Sequence, residues 1–208
     1  MECYYLCDIL LTTLNFKTMP NWCSNCISFE GTEKAMQTLK KDVSMIEDGH
    51  CMFTALTDIK SEWDYGVWNA EFGTKWSVVM DDDIKDTMEQ HDYFNCDTAW
   101  GPCTEFVRKV CKKYGVIGRI EYSEPGCDFA GIIEIDEDGD ELSREEMSYH
   151  EYQYKHLGTD GFFEDFVNDV EDGCIESEEK VREYYPYVDA EDMEEMIRIY
   201  RENNPAEN

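Results

Sequence analysis

The sequence predicts an α+β fold: a ferredoxin-like βαββαβ core with one added strand, followed by an acidic α-helical extension. Three observations carry this reading. Short segments between Cys23 and Ile135 alternate apolar with polar residues, the period of a half-buried strand. Two segments among them instead repeat apolar residues at helical spacing. Beyond about residue 143 the helical spacing continues in a strongly acidic background.

The elements follow in order. CISFE places Ile27 and Phe29 on one face and reads as a strand. Thr32 can cap a helix whose apolar face is Ala35, Met36, Leu39 and Val43. His50 to Asp64 has no clear period. Phe72, Thr74, Trp76, Val78 and Met80 alternate and predict a second strand, and YFNCDTAW predicts a third. Pro102 and Thr104 open a helix carrying Phe106, Val107, Val110, Cys111 and Tyr114, with Gly115 as its stop. Val116, Gly118, Ile120 and Tyr122 predict a fourth strand. Phe129, Gly131, Ile133 and Ile135 predict a fifth, ending at an Asp138-Gly139 turn. The order strand, helix, strand, strand, helix, strand, strand is the ferredoxin-like plan with an addition. Helices would cover one sheet face; the tail, a partner or aromatic side chains must cover the other. The tail shows helical patterns at Phe163, Phe166, Val167 and Val170, and at Met193, Met196, Ile197 and Tyr200 with Asp189 as N-cap. The expected organisation is a leader at 1–18, a ferredoxin-like domain at 19–142 and an acidic helical extension at 143–208.

Charge is the outlying property. The chain has 48 acidic and 18 basic residues, a net charge of -30. Residues 131–208 hold 26 of the acids and 6 of the bases. Such a chain repels nucleic acid and anionic membranes, and its natural partners are basic surfaces. No stretch approaches the ~18 apolar residues of a membrane span. The first eighteen residues lack a basic start and a small-residue cleavage site, so they do not read as a signal peptide. A cytoplasmic protein is expected. The ten cysteines are scattered through helix and strand patterns and read as reduced thiols rather than a disulfide framework.

The motifs MPNWCSN, FGTKW, FNCDTAWGPC and YSEPGCDFAG occur in that order. Together they resemble the YubB-like family of small ferredoxin-like proteins carried by phages and plasmids, over about residues 19–142. The resemblance implies the fold, a mobile-element origin, and a natural start at Met19 or an extra leader before it. It implies no catalytic activity. Two departures stand out: Cys103 replaces a second proline common in the family, and the acidic tail is not a general family feature.

The residues leave two site readings open. Trp22, Trp76 and Trp100 can cover sheet surface, or can form a cleft with Asn21, Lys75, Glu124 and Asp128 as its polar groups. Cys23 and Cys26 lack a second pair for zinc and would point to opposite strand faces. EIDEDGDELSRE has the acid spacing of a calcium loop, but it follows a strand pattern and reads as a hairpin. No phosphate loop, nucleophile elbow or metalloprotease motif occurs, so no catalytic residue, metal or cofactor is expected. The acidic tail is either a solvated face or a partner surface. In the second reading Asp136, Asp138, Asp140, Glu145, Glu146, Glu164, Asp165, Asp169, Glu171, Asp172, Glu191, Glu194 and Glu195 mimic nucleic-acid phosphates. The function expected first is a phage-type binding protein that inhibits a basic host nucleic-acid-handling protein, such as a restriction or CRISPR nuclease. A small-ligand binder or enzyme using the indoles, and an assembly protein using an open sheet face, are the alternatives.

Overall fold

The computed structural model describes residues 21–59 and 64–204; the readings of residues 1–18 and of Met19 lie outside them. The first half runs β1 (Trp22–Gly31), α1 (Glu33–Ser44), α2 (Met52–Leu56), α3 (Tyr65–Phe72) and α4 (Asp82–His91). Then come β2 (Tyr93–Ala99), α5 (Thr104–Tyr114), β3 (Val116–Glu124), β4 (Phe129–Ile135) and β5 (Glu141–Met147). Among the described residues the strands form one antiparallel sheet in the order β2-β1-β3-β4-β5. The fold is α+β and ferredoxin-like. Its signature is β2–α5–β3, whose two strands flank β1 on either side.

Local chemistry explains most boundaries. The Thr32 hydroxyl accepts from the Ala35 amide and starts α1, and Gly115 stops α5 at φ 66°. Asp136 Oδ1 accepts from the amides of Asp138 and Asp140, and Gly139 takes φ 84°, closing the β4–β5 hairpin. The carboxylate that a calcium loop would need is thus occupied by its own turn.

Two expectations are corrected. The strand predicted over 72–80 is absent: Phe72 ends α3, Gly73 caps it at φ 80°, and only Val79 makes a lone bridge, to Cys51. Phe72, Thr74, Val78 and Met80 are all buried, so the alternation was real but belongs to a connection rather than the sheet. The second correction concerns ELSREEM, which is strand β5 and not part of a helical extension; the helices begin at Tyr149.

Helices α1, α4 and α5 pack on one face of the sheet, and α2 and α3 join the same core, α3 against α5. The tightest approach is α5 on β3: a Cβ at Gly118 would lie 2.6 Å from Cys111 Sγ and 2.8 Å from Val107 Cγ1. The other face is partly covered by the tail. Helix α6 (Tyr149–Tyr152) continues through a wide turn (Gln153–Leu157) to α7 (Thr159–Glu171), α8 (Glu178–Tyr184) and α9 (Ala190–Asn203). Tyr152 packs on Ala130 and Ile132 and donates to Glu121 at 3.1 Å. Over β1 and β2 that face stays open, with Trp22, Ser24, Asn95 and Asp97 exposed. The tail has its own core, in which Phe162, Phe166, Val181 and Met196 are fully buried. Burial of each such side chain is worth ~1.5–3 kcal/mol.

Replacing Gly118 by Ala should cost ~1–3 kcal/mol, because two packed side chains must yield; urea unfolding midpoints report it. Buried thiols and phenols together set the alkaline limit: burial pushes the Cys23 and Cys111 thiols up to about 12. Burial pushes the Tyr185 hydroxyl above its ordinary value of 10, helped by Asp169, and Tyr114 is raised the same way beside Asp42. These phenols bind their protons more tightly folded than unfolded, so their contribution is complete below about pH 10 and is lost as pH rises beyond it. Thermal midpoints should hold to about pH 9, fall as the thiols of Cys23 and Cys111 ionise in the unfolded chain, and fall further beyond about 10, with phenolate absorbance rising in that second step.

Candidate functional site

The four aromatic motifs meet at one end of the sheet. Trp22 opens β1 and pairs with Ala99, the last residue of β2. Thr74 Oγ1 accepts from the Ala99 amide and donates to the Ala99 carbonyl, both at 3.1 Å, which brings the 74–76 segment against the sheet end. Trp76 then lies on Trp22, ring centroids 5.5 Å apart. Lys75 Nζ stands 4.7 Å from the Trp76 ring centre and 5.9 Å from that of Tyr65. Trp22 is 49% and Trp100 53% exposed, which decides against burial in separate places.

Trp100 is held in an unusual backbone state. Its φ is 75°, a left-handed conformation that costs a non-glycine residue roughly 1–2 kcal/mol. Hydrogen bonds enforce it: the Trp100 amide donates to Asn21 O at 3.0 Å, and Thr98 Oγ1 donates to Gly101 O at 2.7 Å. Thr98 is itself fixed by Asn25, only 1% exposed, whose Nδ2 donates to Thr98 Oγ1 at 2.8 Å and to the carbonyls of Cys23 and Cys96. Strain kept by its surroundings in this way concentrates at functional sites.

Of the polar groups expected here, Asn21, Lys75 and Glu124 belong to the corner. Asn21 Nδ2 donates to Cys127 Sγ, in the short turn Pro125–Cys127 that follows β3. Glu124 is buried beneath it, with Oε2 lacking a hydrogen-bond partner among the described residues. A hydrogen bond to Glu124 pushes the exposed Cys127 thiol above its ordinary value. Asp128 does not join the corner. It accepts from the Tyr149 amide at 2.9 Å, and its Oδ1 stands 3.3 Å from His150 Nδ1. His150 Nε2 reaches Asp169 at 3.8 Å, so the three side chains tie the sheet to the tail. Nothing in the sequence signals this grouping, since its members lie far apart along the chain.

Cys23 is fully buried and Cys26 half-buried, as opposite strand faces require. Burial pushes the Cys23 thiol up to about 12. Among the described residues no group of His, Cys, Asp or Glu is arranged to hold a metal ion.

The thirteen candidate acids divide. Asp138, Asp140, Glu145, Glu164, Glu171, Asp172, Glu191 and Glu194 are exposed. Six are engaged internally, the exposed Glu145 and Glu146 among them: Asp136 with its turn, Glu145 with Lys155, Glu146 with Arg144, Asp165 with Gln153, Asp169 with Tyr185, and Glu195 with Arg198. The anionic surface is therefore thinner than the sequence suggests, yet it rides on helices ordered by their own core.

Trp22 and Trp76 lie ring against ring, and Trp100 is exposed at the same end of the sheet. One concavity, of 440 Å³, is lined by Asp42, Met45, Ile46, Glu47, His50 and Ala55. Another, of 270 Å³, lies around Thr32 and Tyr114; neither is lined by a tryptophan.

Comparison with known families gives one match. The family described as the ferredoxin-like domain in Api92-like protein matches over residues 57–197, which takes in β2 to β5 and most of the tail and leaves out β1 and α1. No curated protein and no solved structure matches the chain. No described helix is long and apolar enough to cross a membrane.

The Cys127 environment is open to direct test. Glu124→Gln removes the charge that raises the thiol and should speed Cys127 alkylation near pH 8; Asn21→Ala should slow it. Peptide mass spectrometry follows both, with buried Cys23, Cys103 and Cys111 as slow internal references.

Proposed function

The chain belongs to the family of the ferredoxin-like domain in Api92-like protein, and from that footing we propose that it is a binding protein which engages a basic partner through an ordered anionic surface. The observation that supports this reading is the separate tail core of Phe162, Phe166, Val181 and Met196. Like charges at i, i+4 on a helix repel by a few tenths of a kcal/mol each, so an acid-rich helix needs tertiary packing to stay folded. That packing supplies what a solvated random tail lacks: carboxylates fixed in relative position. Fixed anions at a spacing comparable with phosphates fit a groove evolved for nucleic acid, and a complementary field speeds encounter. The YubB-like resemblance and its mobile-element origin direct the reading further, to a host nucleic-acid-handling protein such as a restriction or CRISPR nuclease.

The tryptophan corner favours a second reading, a small-ligand binder. Ligand pockets usually enclose most of their guest, and Trp22 and Trp100 here are half exposed. That geometry suits a protein surface better than a small molecule.

The test separates field from fold. The triple variant Glu164→Gln, Glu191→Gln, Glu194→Gln should leave the circular dichroism unchanged. Its association with a basic nucleic-acid-binding protein should be slower by about tenfold at low salt, with a shallower salt dependence. Equal binding by wild type and variant across a salt series would remove the proposal.

A further inference from the structure

We propose that the corner formed by Trp22 and Trp100 is an anchor for arginine side chains of the basic partner, with Asp97 as the receiving carboxylate; this rests on the binding role proposed above. Trp22 pairs with Ala99 and Ser24 with Asp97, so Trp22 and Asp97 are diagonal neighbours on one sheet face. Diagonal neighbours lie ~7–8 Å apart at the backbone, within reach of long side chains. Asp97 is exposed, and no described basic group pairs with it.

The rings are suited to cations. Lys75 already sits over Trp76 at 4.7 Å. No described Lys or Arg lies over Trp22 or Trp100, although both are half exposed. An indole face attracts a cation through its quadrupole. Guanidinium suits this corner better than ammonium, because it is planar, weakly hydrated, and can lie on a ring while donating in-plane hydrogen bonds to a carboxylate. Charge complementarity selects the same occupant, since a chain of net charge -30 draws cationic segments to its surface. Strain points the same way. The left-handed backbone at Trp100 keeps half of a large indole in water, and the neighbouring Gly101 leaves open space beside it.

Arg-only and Lys-only peptides of equal length test the idea on the full chain by fluorescence titration and calorimetry. Wild type should bind the arginine peptide roughly fivefold more tightly than the lysine peptide, two modest cation–π contacts supplying the margin. Trp22→Ala, Trp100→Gly and Asp97→Asn should each shrink that margin, while the salt dependence of lysine-peptide binding stays as in wild type. Glycine accepts the left-handed backbone, so Trp100→Gly should keep its circular dichroism and serve as the folded control. Equal affinity for the two peptides, or a margin that survives in all three variants, overturns the arginine anchor and leaves the anionic surface standing. Failure of wild type to bind either peptide at low salt overturns both.

Discussion

A single buried amide governs the end of the sheet where the conspicuous residues gather. Asn25 lies inside β1, an interior strand, and its Nδ2 is shared among Thr98 Oγ1 and the carbonyls of Cys23 and Cys96. A buried donor left without acceptors costs ~1–3 kcal/mol, so this side chain penalises any other pairing of β1 with β2. Thr98 passes the constraint on to Gly101, and thereby to the left-handed turn at Trp100. The exposed indole is downstream of a hydrogen-bond knot that no solvent reaches.

The second constraint is electrostatic and works at the junction of sheet and tail. Asp128 and Asp169 would repel each other alone; His150 stands between them, and Tyr185 donates to Asp169 at 3.2 Å. Tyr152 adds a contact to Glu121 from the same helix turn. Ring and hydroxyl donors thus draw carboxylates of the two parts together in a chain with few cations. The family match, over residues 57–197, runs across this junction.

Much of the fold was legible because apolar periodicity and caps agreed. β3, α5 and α9 follow their patterns, and Thr32, Gly115 and Asp189 act as boundaries. The misread segments share a cause. Alternation over 72–80 reports buried and exposed sides, and a connection crossing a core produces it as readily as a strand does. β5 was hidden for the opposite reason: its first six residues are exposed, so no buried face marks its period. At the site, the tryptophans and Asn21 were visible because large aromatics near turns are uncommon. Asn25, Thr74, Thr98 and Asp97 were not, since small polar residues signal nothing until register places them together. Asp128 follows the Pro125–Cys127 turn directly, but its left-handed backbone sends it to the tail.

The charged outer strand has a consequence for life in a crowded solution. Glu141, Arg144, Glu145 and Glu146 line β5, and Arg144 is clamped between two of those carboxylates. A second copy trying to zip its own strand alongside would bring like charges into register and have to break the clamp. That rim of the sheet is therefore guarded against ribbon growth.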